Sequence, residues 1–322
     1  MQTFALPSSS TTSCLFWRRG WFVLCGWLLL TCAGPVVAQT SPRPSLTAAL
    51  NAIVVPDAKV VDALQKALDD CAWPTGPDAA PLAATLDVNV PAIEAFDLAV
   101  EQGVCDLPLE GKPLRQALTR LRLALALVLA DGLRAVAEHR PDAVERDLRV
   151  VAAAVRTLVA APATPLRIVG LSVVARMVAL ARRASCPVPA VSLPSVGDLA
   201  TFEKAQYLAA AARAGESDRS LDPHIRSAAA NLAATYFDPL IRPLSAFEAE
   251  ALSDRFTALY SVLGGRYREM DPRQVTDMIP MPVPPAAELG KTVAEVVLCG
   301  RYLDTGLLLR VYGEAMKALR GQ

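Results

Sequence analysis

The chain has 322 residues, 32 basic and 32 acidic side chains and two histidines, so its formal charge at neutral pH is zero. Balanced, interspersed charge of this kind excludes the basic stripe on which non-specific nucleic-acid binding depends. With 53% hydrophobic residues and a mean hydropathy of +0.32, the chain carries enough apolar surface to build its own core.

Residues 1–38 read as a cleavable export signal. Arg18 and Arg19 supply the charge and residues 21–32 a short apolar run. Val36, Val37 and Ala38 precede a cleavage site at Gln39. The Arg18–Arg19 pair weakly resembles a twin-arginine signal. Leu29, Leu30, Thr31 and Cys32 resemble a lipobox, which would make the protein an envelope lipoprotein anchored at Cys32. An uncleaved N-terminal anchor is the other alternative. The expectation is a periplasmic or secreted protein, cleaved after Ala38, with no membrane span once the signal is removed. Residues 39–45 form a flexible leader. Residues 46–322 form a single all-α domain, within which 46–110 can stand as an N-terminal helical subdomain.

Beyond the signal lie Cys71, Cys105, Cys186 and Cys299, an even number suited to an oxidising compartment. The order of the segments favours disulfides between Cys71 and Cys105 and between Cys186 and Cys299; four buried free thiols are the alternative.

In chain order, residues 46–54 suit a short helix. Asp57 caps another that runs to Asp70, with Val61, Leu64, Leu68 and Cys71 facing inward. Residues 73–78 break the chain. Residues 82–90 are ambiguous. Pro91 opens the next helix, which places Ile93, Phe96 and Val100 on one face, and Gly103 ends it.

Residues 113–184 organise everything else, as three helices. The first, to about Glu138, contains residues 123–130, apolar on every side, which predicts a buried central rod. That run is shorter than the ~20 apolar residues a bilayer requires. The second starts at Pro141 and presents Val144, Leu148, Val151, Val155 and Leu158 on one face, with Asp142–Arg146 and Glu145–Arg149 as surface pairs. The third, to about Ala184, presents Leu166, Val169, Val173, Met177 and Leu180.

Ser195 and Asp198 make a capping box for a helix to Gly215. Another helix runs from Asp222 to Tyr236. Ser245 and Glu248 match the capping pattern again, for a helix over 245–263. Residues 280–285 are too proline-rich to be helical. Residues 286–319 form one long helix or two. No segment alternates with period two, so the fold class is all-α, an irregular multi-helix bundle or short array around a central hydrophobic helix, without a sheet. A tetratricopeptide pattern fails, because Asp147 stands where an aromatic belongs and no 34-residue period is present.

No phosphate loop, metal motif or nucleophile motif occurs, so the sequence offers no catalytic, cofactor-binding or metal-binding residues. His139 suits a helix C-terminus and His224 a helix start. Aromatic residues crowd the C-terminal half: residues 39–200 hold only Trp73 and Phe96, and ten follow. Interfaces favour tyrosine. The candidate partner-binding residues are therefore Tyr207, Tyr236, Tyr260 and Tyr267, with Arg242, Arg266 and Arg268 as a polar rim. The reading is an exported, non-enzymatic helical protein that binds a protein partner or an envelope component. The alternative is a periplasmic hydrolase whose acidic residues assemble only in the fold.

Overall fold

The computed structural model describes residues 44–216, 219–242, 248 and 288–321. Its secondary structure is helical throughout, with no strand among the described residues. Expected features at residues 1–43 (the signal and most of the leader), the 245–263 helix apart from Glu248, and the 280–285 proline run lie outside the described residues. So do Tyr260, Tyr267, Arg266, Arg268 and the side chain of Cys299.

The chain begins with α1 (Leu46–Ala52), whose two ends are held by distant residues. At its N-terminus Ser45 Oγ and the Thr47 N–H donate to the Asp106 carboxylate. At its C-terminus Arg120 Nη1 donates to the carbonyls of Leu50 and Asn51. Anion at the start and cation at the end match the helix dipole.

Asp57 caps α2 (Ala58–Asp69) by accepting from the Val60 N–H at 3.0 Å. Its inward stripe is Val60, Leu64, Ala67 and Leu68. Val61, expected inside, is 40% exposed. The two valines satisfy the same spacing rule, and the packing of α2 against α3 and α4 selects the first.

Helix α3 (Ala79–Glu101) runs straight through Pro91 rather than starting there. Pro91 cannot donate to the Asp87 carbonyl one turn back, so one ladder bond is lost in mid-helix. Neighbouring anchors offset that loss. Buried Asn89 accepts from the Val54 N–H at 2.8 Å and donates to the Val54 and Thr85 carbonyls.

Helix α4 (Gly111–Ala137) is the predicted rod. Leu121, Ala124, Leu127, Val128, Leu129 and Ala130 are all buried, because α2, α3, α5 and α7 pack around it. Each fully buried Leu or Val contributes roughly 1.5–3 kcal/mol. After a tight turn at His139, α5 (Pro141–Val159) buries the whole expected stripe from Val144 to Leu158. The third central helix is two helices, α6 (Thr164–Ser172) and α7 (Val174–Ala184), divided at Val173. Residues 164–184 are also the one helical stretch among those described that is long and apolar enough to cross a membrane, and 61% of its apolar window is buried inside the protein.

In the central helices, approach is close at Gly132 and Gly170. A Cβ on Gly132 of α4 would stand 2.6 Å from Leu180 Cδ2, and one on Gly170 of α6 would stand 2.9 Å from Leu158 Cβ.

Helices α8 (Val196–Glu216), α9 (Asp222–Tyr236) and α10 (Asp238–Ile241) follow. The expected capping box opens α8: Ser195 N–H donates to Asp198 Oδ2, and the Asp198 N–H donates to Ser195 Oγ. One unbroken helix, α11 (Glu288–Arg320), closes the fold and packs along α6, α7, α8 and α9. It joins two cores. Leu308, Val311 and Ala315 enter the large core of the central helices, while Ala294 and Leu298 enter a smaller one with α8 and α9.

The cysteine pairing needs correction. Cys71, Cys105 and Cys186 are free thiols, and none bridges another. Cys71 leaves α2 in a left-handed conformation, φ +48°, close enough to feel the charge of Arg183 in the last turn of α7. Cys105 sits in the α3–α4 connection beside Asp106 and Leu107. Proximity in the segment order did not translate into proximity of the sulfurs.

Candidate functional site

Of the candidate partner-binding residues, the structure describes Tyr207, Tyr236 and Arg242. Tyr207 is a core residue, fully buried, stacked on Phe237 with ring centroids 5.8 Å apart, and its hydroxyl donates to the Ala294 carbonyl at 3.1 Å. Tyr236 is half-buried against the same small core. Arg242 is exposed and pairs with Glu248 at 2.9 Å. His139 and His224 are both exposed on the surface.

A different site forms where α3, α4 and α5 meet. There a cleft of about 660 Å3 is floored by Leu86, Ile93, Leu127 and Val150. Its polar lining is six carboxylates (Asp87, Glu94, Asp97, Asp131, Glu138 and Asp147) and three guanidiniums (Arg134, Arg140 and Arg146). The helices bring these groups together from three stretches of chain.

The guanidiniums are committed to neighbours. Arg134 holds Asp87 across the cleft at 2.7 Å and Glu138 on its own helix at 2.9 Å. Arg140 holds Glu138 at 2.8 Å. Arg146 donates from Nη2 to Asp131 at 2.9 Å and to Asp147 at 2.8 Å. The pairing of Arg146 with Asp142 read from helix spacing is therefore replaced by an inward one.

Asp147 is the unusual member. Its side chain is 4% exposed, and its Oδ2 is buried with no hydrogen-bond partner among the described residues. Burial pushes its carboxyl up to about 7, the charge of Asp131 adds to that, and Arg146 opposes both. Asp97 Oδ1 is likewise buried without a partner, and burial together with Glu101 raises that carboxyl, against the pull of Arg146 and Arg149. An orphaned buried acceptor costs ~1–3 kcal/mol, so two in one cleft are a strong local feature. A trace of Asp147 was present in the sequence. It lies three residues after Val144 and four before Val151, on the apolar stripe of α5.

A second buried acid, Glu203, sits between Leu199 and Tyr207 on the inner face of α8. Its Oε1 accepts from Thr164 Oγ at 2.6 Å, its Oε2 has no partner among the described residues, and burial pushes its carboxyl up to about 7. It does not line the adjacent cavity of about 740 Å3, which Thr164, Gln206, Arg213 and Arg301 do line.

No group of three or more metal-ligating side chains with suitable geometry occurs among the described residues. No family model, curated protein or solved structure matches the chain.

Proposed function

We propose that the chain is an exported, non-enzymatic helical binding protein whose ligand site is the cleft between α3, α4 and α5. The observation that carries this reading is Asp147 Oδ2, buried and without a partner among the described residues, in a cleft of about 660 Å3. That volume is in the range of small-ligand sites, ~300–1,000 Å3. A donor brought by a ligand regains the hydrogen bond that the fold leaves unmade. The ligand is a part of a protein partner or envelope component small enough to enter. The features of residues 1–38 support delivery beyond the cytoplasm, to the periplasm or medium, with cleavage after Ala38.

Two measurements test this. N-terminal sequencing of the exported protein is expected to start at Gln39; a diacylated Cys32 found by mass spectrometry would assign a lipoprotein instead. Thermal-shift screening of small polar compounds is expected to find ligands that stabilise the wild type but not Val90→Trp, which fills the mouth of the cleft. Stabilisation that survives Val90→Trp would place the site elsewhere.

One observation favours the hydrolase reading. Asp131 and Asp147 converge on a single nitrogen of Arg146, and Asp147 holds its proton to about pH 7. A general acid needs such a value beside a second carboxylate. Turnover of aryl glycosides or esters that disappears in Asp147→Asn would establish it.

A further inference from the structure

We propose that the α3–α5 cleft takes a primary ammonium or guanidinium on an alkyl stem, with the cationic head set against the unpartnered oxygens of Asp97 and Asp147. This rests on the reading of the cleft as the ligand site and adds the chemistry of its occupant.

Charge is the first argument. Carboxylates outnumber guanidiniums two to one in the lining, and each of the three guanidiniums already holds carboxylates. An anionic ligand would have to displace one of those pairs. A cation displaces nothing.

Hydrogen bonding is the second argument. Asp97 Oδ1 and Asp147 Oδ2 are both buried and both lack a donor among the described residues. An ammonium or guanidinium supplies several N–H groups from one point, and such charge-assisted bonds are the strong ones. A hydroxyl supplies one donor and leaves the charge uncompensated. Shape is the third argument, since Leu86, Ile93, Leu127 and Val150 offer apolar walls to a methylene stem.

Proton linkage follows from the groups around Asp147. It shares the cleft with Glu94 and Asp97 on α3, Asp131 and Arg134 on α4, and Arg146 on its own helix, and the charges that act on it are those of Asp131, Arg146 and Arg140. Burial keeps the proton on Asp147 up to about pH 7. A cation beside Oδ2 favours the ionised form, so the proton leaves to solvent as the ligand docks. Affinity therefore rises as pH increases through 7.

The test is calorimetric titration of the mature protein with 1,5-diaminopentane, Nα-acetyl-lysine methylamide, hexanoate and 1-pentanol at pH 6 and pH 8. The expected result is that one or both cations bind, more tightly at pH 8, and that Asp147→Asn weakens them about tenfold or more. Asp97→Asn is the second variant, to be used if Asp147→Asn loses its helical circular dichroism. The diamine and the lysine derivative distinguish a free amine from a peptide side chain. The cation proposal is overturned if neither cation binds, if pentanol or hexanoate binds as tightly, or if folded Asp147→Asn binds the cations as the wild type does. Binding of pentanol or hexanoate that Val90→Trp abolishes would overturn only the cation chemistry. Thermal-shift ligands insensitive to Val90→Trp would remove the cleft itself as the site.

Discussion

Asp131 on α4 and Asp147 on α5 accept hydrogen bonds from the same Arg146 nitrogen, at 2.9 and 2.8 Å. Their two oxygens can be no farther apart than those bonds laid end to end. The negative charge of Asp131 at that range disfavours the ionised form of Asp147. Arg146 is what allows both to sit there.

Replacing that arginine should expose the strain. In Arg146→Met the opposing charge is gone, so the Asp147 carboxyl is expected to titrate above the wild-type value of about 7. Carboxyl-carbon NMR reads this directly. Arg146 is half exposed, so the stability loss is modest, roughly 1–2 kcal/mol. An unchanged Asp147 titration would mean that the pair does not set its proton affinity.

Glu203 gives stability a pH dependence with a definite sign. Unfolded, its carboxyl releases its proton near 4.5; folded, it holds it to about 7. Between those values the unfolded chain binds fewer protons, so stability falls as pH rises. The contribution is complete below about pH 4.5 and lost above about 7, and it amounts to roughly 3 kcal/mol. Asp147 acts in the same direction. Urea unfolding across pH 5 to 8 is expected to show the decline, with a shallower slope in Glu203→Gln.

Gly170→Ala should destabilise the centre of the fold. The added Cβ would meet Leu158 Cβ at 2.9 Å, an atom fixed to the backbone of α5 and unable to swing aside. Overpacking of this kind costs ~1–3 kcal/mol, against ~1 kcal/mol gained in helix propensity. A net loss in the urea midpoint is expected.

The turn between α4 and α5 invites the opposite change. His139 is exposed and adopts φ +57°, while the following Arg140 N–H donates back to the Ala135 carbonyl at 2.8 Å. This is the helix-ending position that glycine prefers. His139→Gly is expected to stabilise the protein by about 1 kcal/mol, read from the melting temperature.

The thiols have their own measurement. Burial raises Cys71 and Cys105 above the ordinary thiol range, so both should alkylate slowly in the folded protein and fast in urea. Non-reducing peptide mapping is expected to find no peptide linking Cys71 to Cys105.

Helix type and placement were legible from the chain alone wherever the signal is local. The stripe Val144, Leu148, Val151, Val155, Leu158 and the all-round apolar run in α4 are properties of spacing, and they emerge buried as spacing requires. The Asp57 cap and the Ser195–Asp198 box depend on residues three apart, and both form. Tertiary structure alone decided the rest. It put Tyr207 in a core rather than on a groove, paired Arg146 with Asp131 and Asp147, chose Val60 over Val61 and buried Asp147 and Glu203. Whether a given side chain is covered depends on which helix lies over it. That depends on contacts between segments far apart in sequence, to which no local period is sensitive.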